Sequence, residues 1–157
     1  MQCENLKAIE ISADNPVFET VDGVLFDKKE HTLISYPIGL TAASYVVPEG
    51  VTVIGKSAFS ECKNLTGVTL PGGLTSIAEW AFYDTGLTAV EIPEGVKTIG
   101  YEAFGLTKNM TRPTLPESLT FIDDWAFAGS GLTSINVIAG SYAEEWVMGN
   151  GYACHYR

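Results

Sequence analysis

Four consecutive segments of this chain repeat one pattern every 22 or 23 residues, and no other feature narrows the possible folds as much. They begin at Pro48, Pro71, Pro93 and Pro116, prolines spaced 23, 22 and 23 residues apart. The same steps separate Ile54, Ile77, Ile99 and Ile122, and again Phe59, Phe82, Phe104 and Phe127. Three columns of different residue types keeping one period define a structural repeat. A unit of this length is one small coil that cannot bury its own apolar face, so neighbouring coils must stack to complete a shared core.

Within each unit the order Leu-x-x-Val-x-Leu recurs, as Leu65-Val68-Leu70, Leu87-Val90-Ile92 and Leu132-Ile135-Val137. The last two positions of each set are separated by one residue, the spacing of a short strand with one buried face. Proline follows Leu70, Ile92 and Leu115 and stops the strand. A second apolar pair, such as Val51 with Ile54 or Val96 with Ile99, leads into the Ala-Phe pair. The pattern Leu-Pro-x-x-Leu-x-x-Ile-x-x-x-Ala-Phe-x-x-Cys-x-x-Leu resembles the BspA-like, or Treponema pallidum type, leucine-rich repeats, and it covers nearly the whole chain. That resemblance implies a β-rich solenoid, a right-handed stack of short parallel strands. It also implies membership among bacterial surface proteins used for adhesion.

The chain divides accordingly into a partial repeat (1–11), a variant repeat (12–47), four regular repeats (48–137) and a C-terminal cap (138–157). Cys3 to Leu6 match Cys62 to Leu65, so the chain opens halfway through a unit, as a C-terminal piece of a longer leucine-rich-repeat protein would. In the variant repeat Ile11 and Val47 hold the same position 36 residues apart. The surplus contains Val24-Leu25-Phe26 and Thr32-Leu33-Ile34 flanking polar residues 27–31, which predicts a β-hairpin projecting from one coil. The Asp-Gly-Val-Leu-Phe segment resembles an insertion of BspA-like proteins. At the other end, Ser141 with Glu144 three residues later is a capping-box signature. It predicts a short helix over about 142–148, ending at Gly149-Asn150-Gly151, and then a last strand over 152–156 that covers the end of the stack.

Nineteen acids against nine bases give a formal charge of −10. That balance argues against nucleic acid and anionic lipid as partners, since both are held mainly by Lys and Arg. No apolar run approaches the roughly 20 residues that span a bilayer, so direct membrane insertion is not expected. Three cysteines, Cys3, Cys62 and Cys154, are too few for a disulfide framework and lack zinc-site spacing. Cys3 and Cys62 share one repeat position two coils apart, which predicts buried free thiols and no bridge between them. Asp14, Asn15, Asp22 and Asp27 gather oxygen atoms near the insertion, but their spacing fits a solvated acidic rim and no calcium loop. His31 falls in the hairpin turn and His155 in the last strand, and no hydrolase, phosphate-binding or metalloprotease motif is present. Neither catalytic residues nor a cofactor or metal are expected.

The residue before each Ala-Phe pair varies: Ser57, Trp80, Glu102 and Trp125. Variation beside two constant core residues predicts exposure, with Trp80 and Trp125 roughly 10 Å apart on either side of Glu102, and Tyr101 adjacent. Trp80, Tyr101, Glu102 and Trp125 are therefore the candidate partner-binding surface. The outward strand positions are bland by comparison: Gly67 and Thr69, Ala89 and Glu91, Arg112 and Thr114, Ser134 and Asn136. Pro113 replaces the usual inward Val and removes a ladder donor, which predicts a local irregularity. Glu49, Glu94 and Glu117 form an acidic column that reads as a solvated edge. The expected function is non-catalytic protein–protein interaction or adhesion. A structural spacer is the first alternative, and a carbohydrate surface using Trp80 and Trp125 is the second. An extracellular or cell-surface location follows from the resemblance alone.

Overall fold

The computed structural model describes residues 3–157, and in it the repeats stack as successive coils of one β-solenoid. Its elements in chain order are β1 (Phe18–Val21), β2 (Val24–Asp27), β3 (Thr32–Ser35), β4 (Ser44–Val46), β5 (Val53–Ile54) and β6 (Gly67–Thr69). They continue with β7 (Ser76–Ile77), β8 (Thr98–Ile99), β9 (Phe121–Ile122), β10 (Ile135–Val137), α1 (Tyr142–Gly149) and β11 (Cys154–Tyr156). The longest ladder runs through the isoleucine column: β5, β7, β8 and β9 are parallel, with Ile54, Ile77, Ile99 and Ile122 in register. The Leu-x-x-Val-x-Leu positions make a second parallel ladder, less continuous than the sequence pattern suggests. There β4 pairs with β6, β10 pairs with β11, and single bridges link Glu91 to Thr114 and Thr114 to Asn136. Pro113 sits at the break. It has no N–H to give, although its carbonyl still accepts from Asn136 at 2.9 Å.

The core is a column of aromatic rings. Phe59, Phe82, Phe104 and Phe127 are fully buried, with centroids 4.9, 5.2 and 5.2 Å apart and planes within 10° of parallel. This spacing is close to the rise between hydrogen-bonded strands, so equivalent rings fall directly on one another. Three backbone bonds hold the register, from Phe59 N–H to Ala81 C=O, from Phe82 to Ala103 and from Phe104 to Ala126, at 2.7–2.8 Å. The column continues at both ends, first through Tyr36, which holds the equivalent position one coil earlier and makes the same bond, N–H to Ala58 C=O at 2.8 Å. Tyr36 and Tyr45 pack on Phe59 at 5.1 and 5.9 Å, and Trp146 packs on Phe127 at 5.9 Å, followed by Tyr152.

The insertion is a three-stranded antiparallel meander, β1-β2-β3, whose last strand joins the ladder in parallel to β5. It therefore extends the main sheet, where the sequence suggested a projecting hairpin. Leu33 pairs with Ile54 and takes the place that an isoleucine would hold in a regular coil. Strand β1 was not anticipated, although Asp22-Gly23, both with positive φ (51° and 78°), is the turn pair favoured for tight hairpins. The oxygen-rich residues nearby fold the local chain. Asn15 Oδ1 accepts from the N–H groups of Val17 and Phe18, and Asp27 Oδ1 accepts from those of Lys29 and Glu30, all at 2.8–2.9 Å.

At the C-terminus Ser141 caps α1, accepting from Glu144 N–H at 3.2 Å, and Glu144 reaches back to Gly140 N–H at 2.6 Å. Tyr156 of β11 donates to the same carboxylate at 2.7 Å. These two bonds, that from Tyr156 foremost, hold the Glu144 carboxyl below its usual pKa.

All three cysteines are free. Cys62 is buried as expected, and desolvation, aided by the charge of Glu61, pushes its thiol up to about 12. In this chain Cys3 is exposed, against expectation, as are residues 4–8 beside it. Only a thiolate attacks a disulfide reagent. In the folded 157-residue chain at pH 8, exposed Cys3 should react with such a reagent, while Cys62 should react only after unfolding. Mass mapping of the labelled sites checks this, and native labelling of Cys62 at the rate of Cys3 would contradict it.

Candidate binding surface

Each coil turns into its Ala-Phe pair through a tight four-residue turn. The alanine N–H bonds back to the first turn residue: Ala58 to Gly55, Ala81 to Ala78, Ala103 to Gly100 and Ala126 to Asp123, at 3.0–3.3 Å. In the first three coils the third residue has positive φ: Ser57 at 56°, Trp80 at 56° and Glu102 at 44°. That is the sign a type II turn requires, and it costs a residue with a Cβ about 1–2 kcal/mol. Three of the four positions in the variable column of the sequence are thus also strained in their backbone.

The surroundings of Trp80 show what holds it there. Its indole Nε1 donates to Glu102 Oε2 of the next coil at 3.1 Å. The Tyr101 ring meets it edge-on at 5.8 Å. Lys56 of the preceding coil lies over the indole face, with Nζ 4.7 Å from the ring centroid, and pairs with Glu79. Trp80 is consequently only partly exposed. Tyr101 remains 38% exposed, and its hydroxyl is raised in pKa, first by its hydrogen bond with Glu102.

Trp125 behaves differently although it occupies the same column. Asp123 Oδ1 accepts its backbone N–H at 2.9 Å, and Trp125 is not among the positive-φ residues. Gly55, Ala78 and Gly100, at the position of Asp123, have no side-chain acceptor to make that bond. The Trp125 ring stands 61% exposed, beside a shallow groove of about 580 Å³ lined by Asp124, Trp125, Gly149 and Asn150. Expected exposure thus holds for Trp125 and Tyr101 and only partly for Trp80 and Glu102. Sequence reasoning missed Lys56, Glu79 and Asp124, which share one column with Tyr101 at the same period.

The strand face offers little. Thr69, Ala89, Glu91 and Arg112 are exposed, but Ser134 is buried at 9% exposure where an outward position was expected. The Arg112 side chain covers it, Nε donating to Ser134 Oγ at 2.9 Å, and Asn136 Nδ2 similarly reaches Thr114 Oγ1 at 2.9 Å. Along the proline edge Glu94 does more than face solvent. It accepts from Glu117 and Ser118 N–H at 3.3 Å and pairs with Arg157 at 3.4 Å. His31 sits in the turn between β2 and β3, and His155 lies exposed in β11. Among the described residues no group of three or more His, Cys, Asp or Glu is placed to hold a metal ion. No described helix is long and apolar enough to cross a membrane.

Comparison with known proteins agrees with this geometry. The model of the BspA type leucine rich repeat region matches six copies over residues 39–143. A leucine-rich repeat protein from Eubacterium ventriosum superposes with a TM-score of 0.70 at 26% identity, over 87% of this chain and 38% of that one. The pneumococcal vaccine antigen PcpA gives 0.57 at 19% identity, over 96% and 50%. A leucine rich cell surface protein from Faecalibacterium prausnitzii gives 0.54 at 24% identity, over 84% and 42%. This chain therefore spans half or less of the length of each of these three structures. No functionally curated protein matches it. With two thirds of its length read by one family model and the rungs of its core in the order that model repeats, the chain belongs to the BspA type leucine-rich repeat family.

Proposed function

We propose that this solenoid is a non-catalytic protein-recognition or adhesion module of a bacterial surface protein, and that it binds through its turn face. The observation that carries the reading is Trp125, a large ring held 61% exposed on a rigid turn, with Tyr101 and Glu102 one coil away. Large aromatics anchored on stiff backbone contribute much binding energy for little lost entropy. The strand face, small and partly self-satisfied by the Arg112–Ser134 and Asn136–Thr114 bonds, gives a partner less to grip. The family is one of repeat proteins that commonly act by binding proteins and not by catalysis. Two of the similar structures, described as a cell surface protein and a vaccine antigen, favour an extracellular setting.

The test is a binding screen of the full chain against extracellular proteins and glycans, repeated with Trp125→Ala and with Trp80→Ala/Trp125→Ala. For a recognised protein, Trp125→Ala should cost about 2 kcal/mol of affinity. Its thermal stability should change by no more than about 0.5 kcal/mol, as for an exposed site. A spacer would lose nothing in either variant, and binding that is confined to glycans would move the reading to carbohydrate recognition.

A further inference from the structure

The repeat supplies an internal comparison for the Trp125 site. In the second regular coil an acid followed by a tryptophan, Glu79-Trp80, holds a basic side chain: Lys56 of the preceding coil pairs with the carboxylate and lies over the indole, 4.7 Å from its centroid. Two coils later the same acid-tryptophan pair recurs as Asp124-Trp125. The position that provides Lys56 to Glu79-Trp80 provides Tyr101 to Asp124-Trp125, so the chain itself offers no cation there. Among the described residues Asp124 makes no ion pair. Trp125, whose amide bonds to Asp123 and whose φ is not positive, stands open to solvent. Glu102 and Asp123 both act on the Tyr101 hydroxyl electrostatically, which places two further carboxylates at that coil.

The geometry points to Asp124-Trp125 as a receptor for a lysine or arginine side chain of a protein partner, the indole taking the cation on its face and the carboxylate pairing with it. This rests on the reading that the turn face binds protein, and it names the chemistry of the group bound. An ammonium or guanidinium over an indole is attracted by the ring quadrupole, and an adjacent carboxylate adds a charge-assisted bond. The acidic balance of the whole chain, −10, draws a basic partner in the same direction.

The probe is an end-blocked hexalysine peptide, titrated against the full chain by calorimetry at low and at physiological salt, with hexaglutamate as the opposite charge. Hexalysine should bind, and hexaglutamate should not. Trp125→Ala should weaken hexalysine about tenfold, Trp125→Phe appreciably less, and Trp125→Leu as much as Ala, because only an aromatic face replaces the indole. Asp124→Asn should weaken it several-fold, whereas Glu117→Gln, which removes an equal charge on the proline edge, should change it less than twofold. Equal losses in Asp124→Asn and Glu117→Gln would reduce the effect to a diffuse field and overturn the assignment. So would unchanged binding in Trp125→Ala, no binding of hexalysine, or a neutral oligosaccharide that binds Trp125 more tightly than hexalysine does. A protein partner that is lost in Trp125→Ala while hexalysine binding survives would sink the cation receptor and leave the recognition reading intact. Hexalysine binding that depends on Trp125 with no protein partner dependent on this face would do the reverse.

Discussion

Truncating Phe104 to Ala should destabilise the solenoid by about 3–5 kcal/mol. The ring is fully buried and stacks on both neighbours, Phe82 and Phe127, at 5.2 Å with planes 7° apart. Removing it deletes two aromatic contacts as well as the transfer energy of the ring, and the cavity left behind cannot collapse. The coils above and below are held at fixed height by backbone bonds, Phe82 N–H to Ala103 C=O and Phe104 N–H to Ala126 C=O. In a stack of nearest-neighbour contacts the loss weakens two interfaces at once. Urea unfolding followed by circular dichroism should show a lower midpoint, and a broader transition if the two halves separate. Phe104→Leu should recover part of the loss by filling volume without restoring the stack. A Phe104→Ala midpoint within about 0.5 kcal/mol of the parent would mean that the aromatic column is not what holds the coils together.

Gly86→Ala should cost about 3 kcal/mol, at the upper end for overpacking. Regular coils alternate between a longer turn, Cys62-Lys63-Asn64-Leu65 and Thr107-Lys108-Asn109-Met110, and a shorter one, Thr85-Gly86-Leu87 and Ser130-Gly131-Leu132. This alternation is the source of the 23- and 22-residue steps. The shorter turn crosses close under the longer one before it. A methyl group on Gly86 would be driven into the Lys63 carbonyl oxygen and would also lie 3.1 Å from that of Leu65. Gly131 meets the Lys108 carbonyl in the same way. Both obstacles are backbone, so neither can swing aside. Gly86 has no positive φ, which makes the penalty one of contact and not of dihedral preference. Gly72→Ala is the control: nothing lies within 4 Å of its added methyl, and the melting temperature should hold or rise slightly. Equal melting of the Gly86→Ala and Gly72→Ala proteins would refute the close approach.

Residues whose environment repeats were legible in the sequence. Phe59 to Phe127, Ile54 to Ile122 and the alanines beside the phenylalanines each see the same neighbours one coil away, so a column in sequence became a column in space. The capping helix was legible because its signals are local, within residues 141–151. What escaped depends on the single coil. Strand β1 and the docking of β3 on β5 lie outside the period, and a hairpin pattern alone does not say which sheet it will join. Cys3 shares the position of Cys62 but not its cover. The divergence of Trp80 and Trp125 was hidden for a subtler reason. Part of the difference lies two residues earlier, where Asp123 replaces Ala78 and accepts the Trp125 amide, and part in the neighbouring coils, where Lys56, Tyr101 and Glu102 pack on Trp80. Ser134, just before β10, also escaped, because its contact with the Arg112 side chain depends on which residue the neighbouring coil carries.

The alternation of turns has one more implication. A Gly-containing coil fits beneath a Lys-Asn coil because one yields the room that the other fills, so the stack is built from couples and not from interchangeable singles. Duplicating or excising one couple preserves every such fit, whereas adding or removing a lone coil sets like against like at the seam. An ancestral gene that lengthened this array in whole couples would have met no misfit on the way, and a protein engineer who wishes to vary its reach has the same indivisible brick.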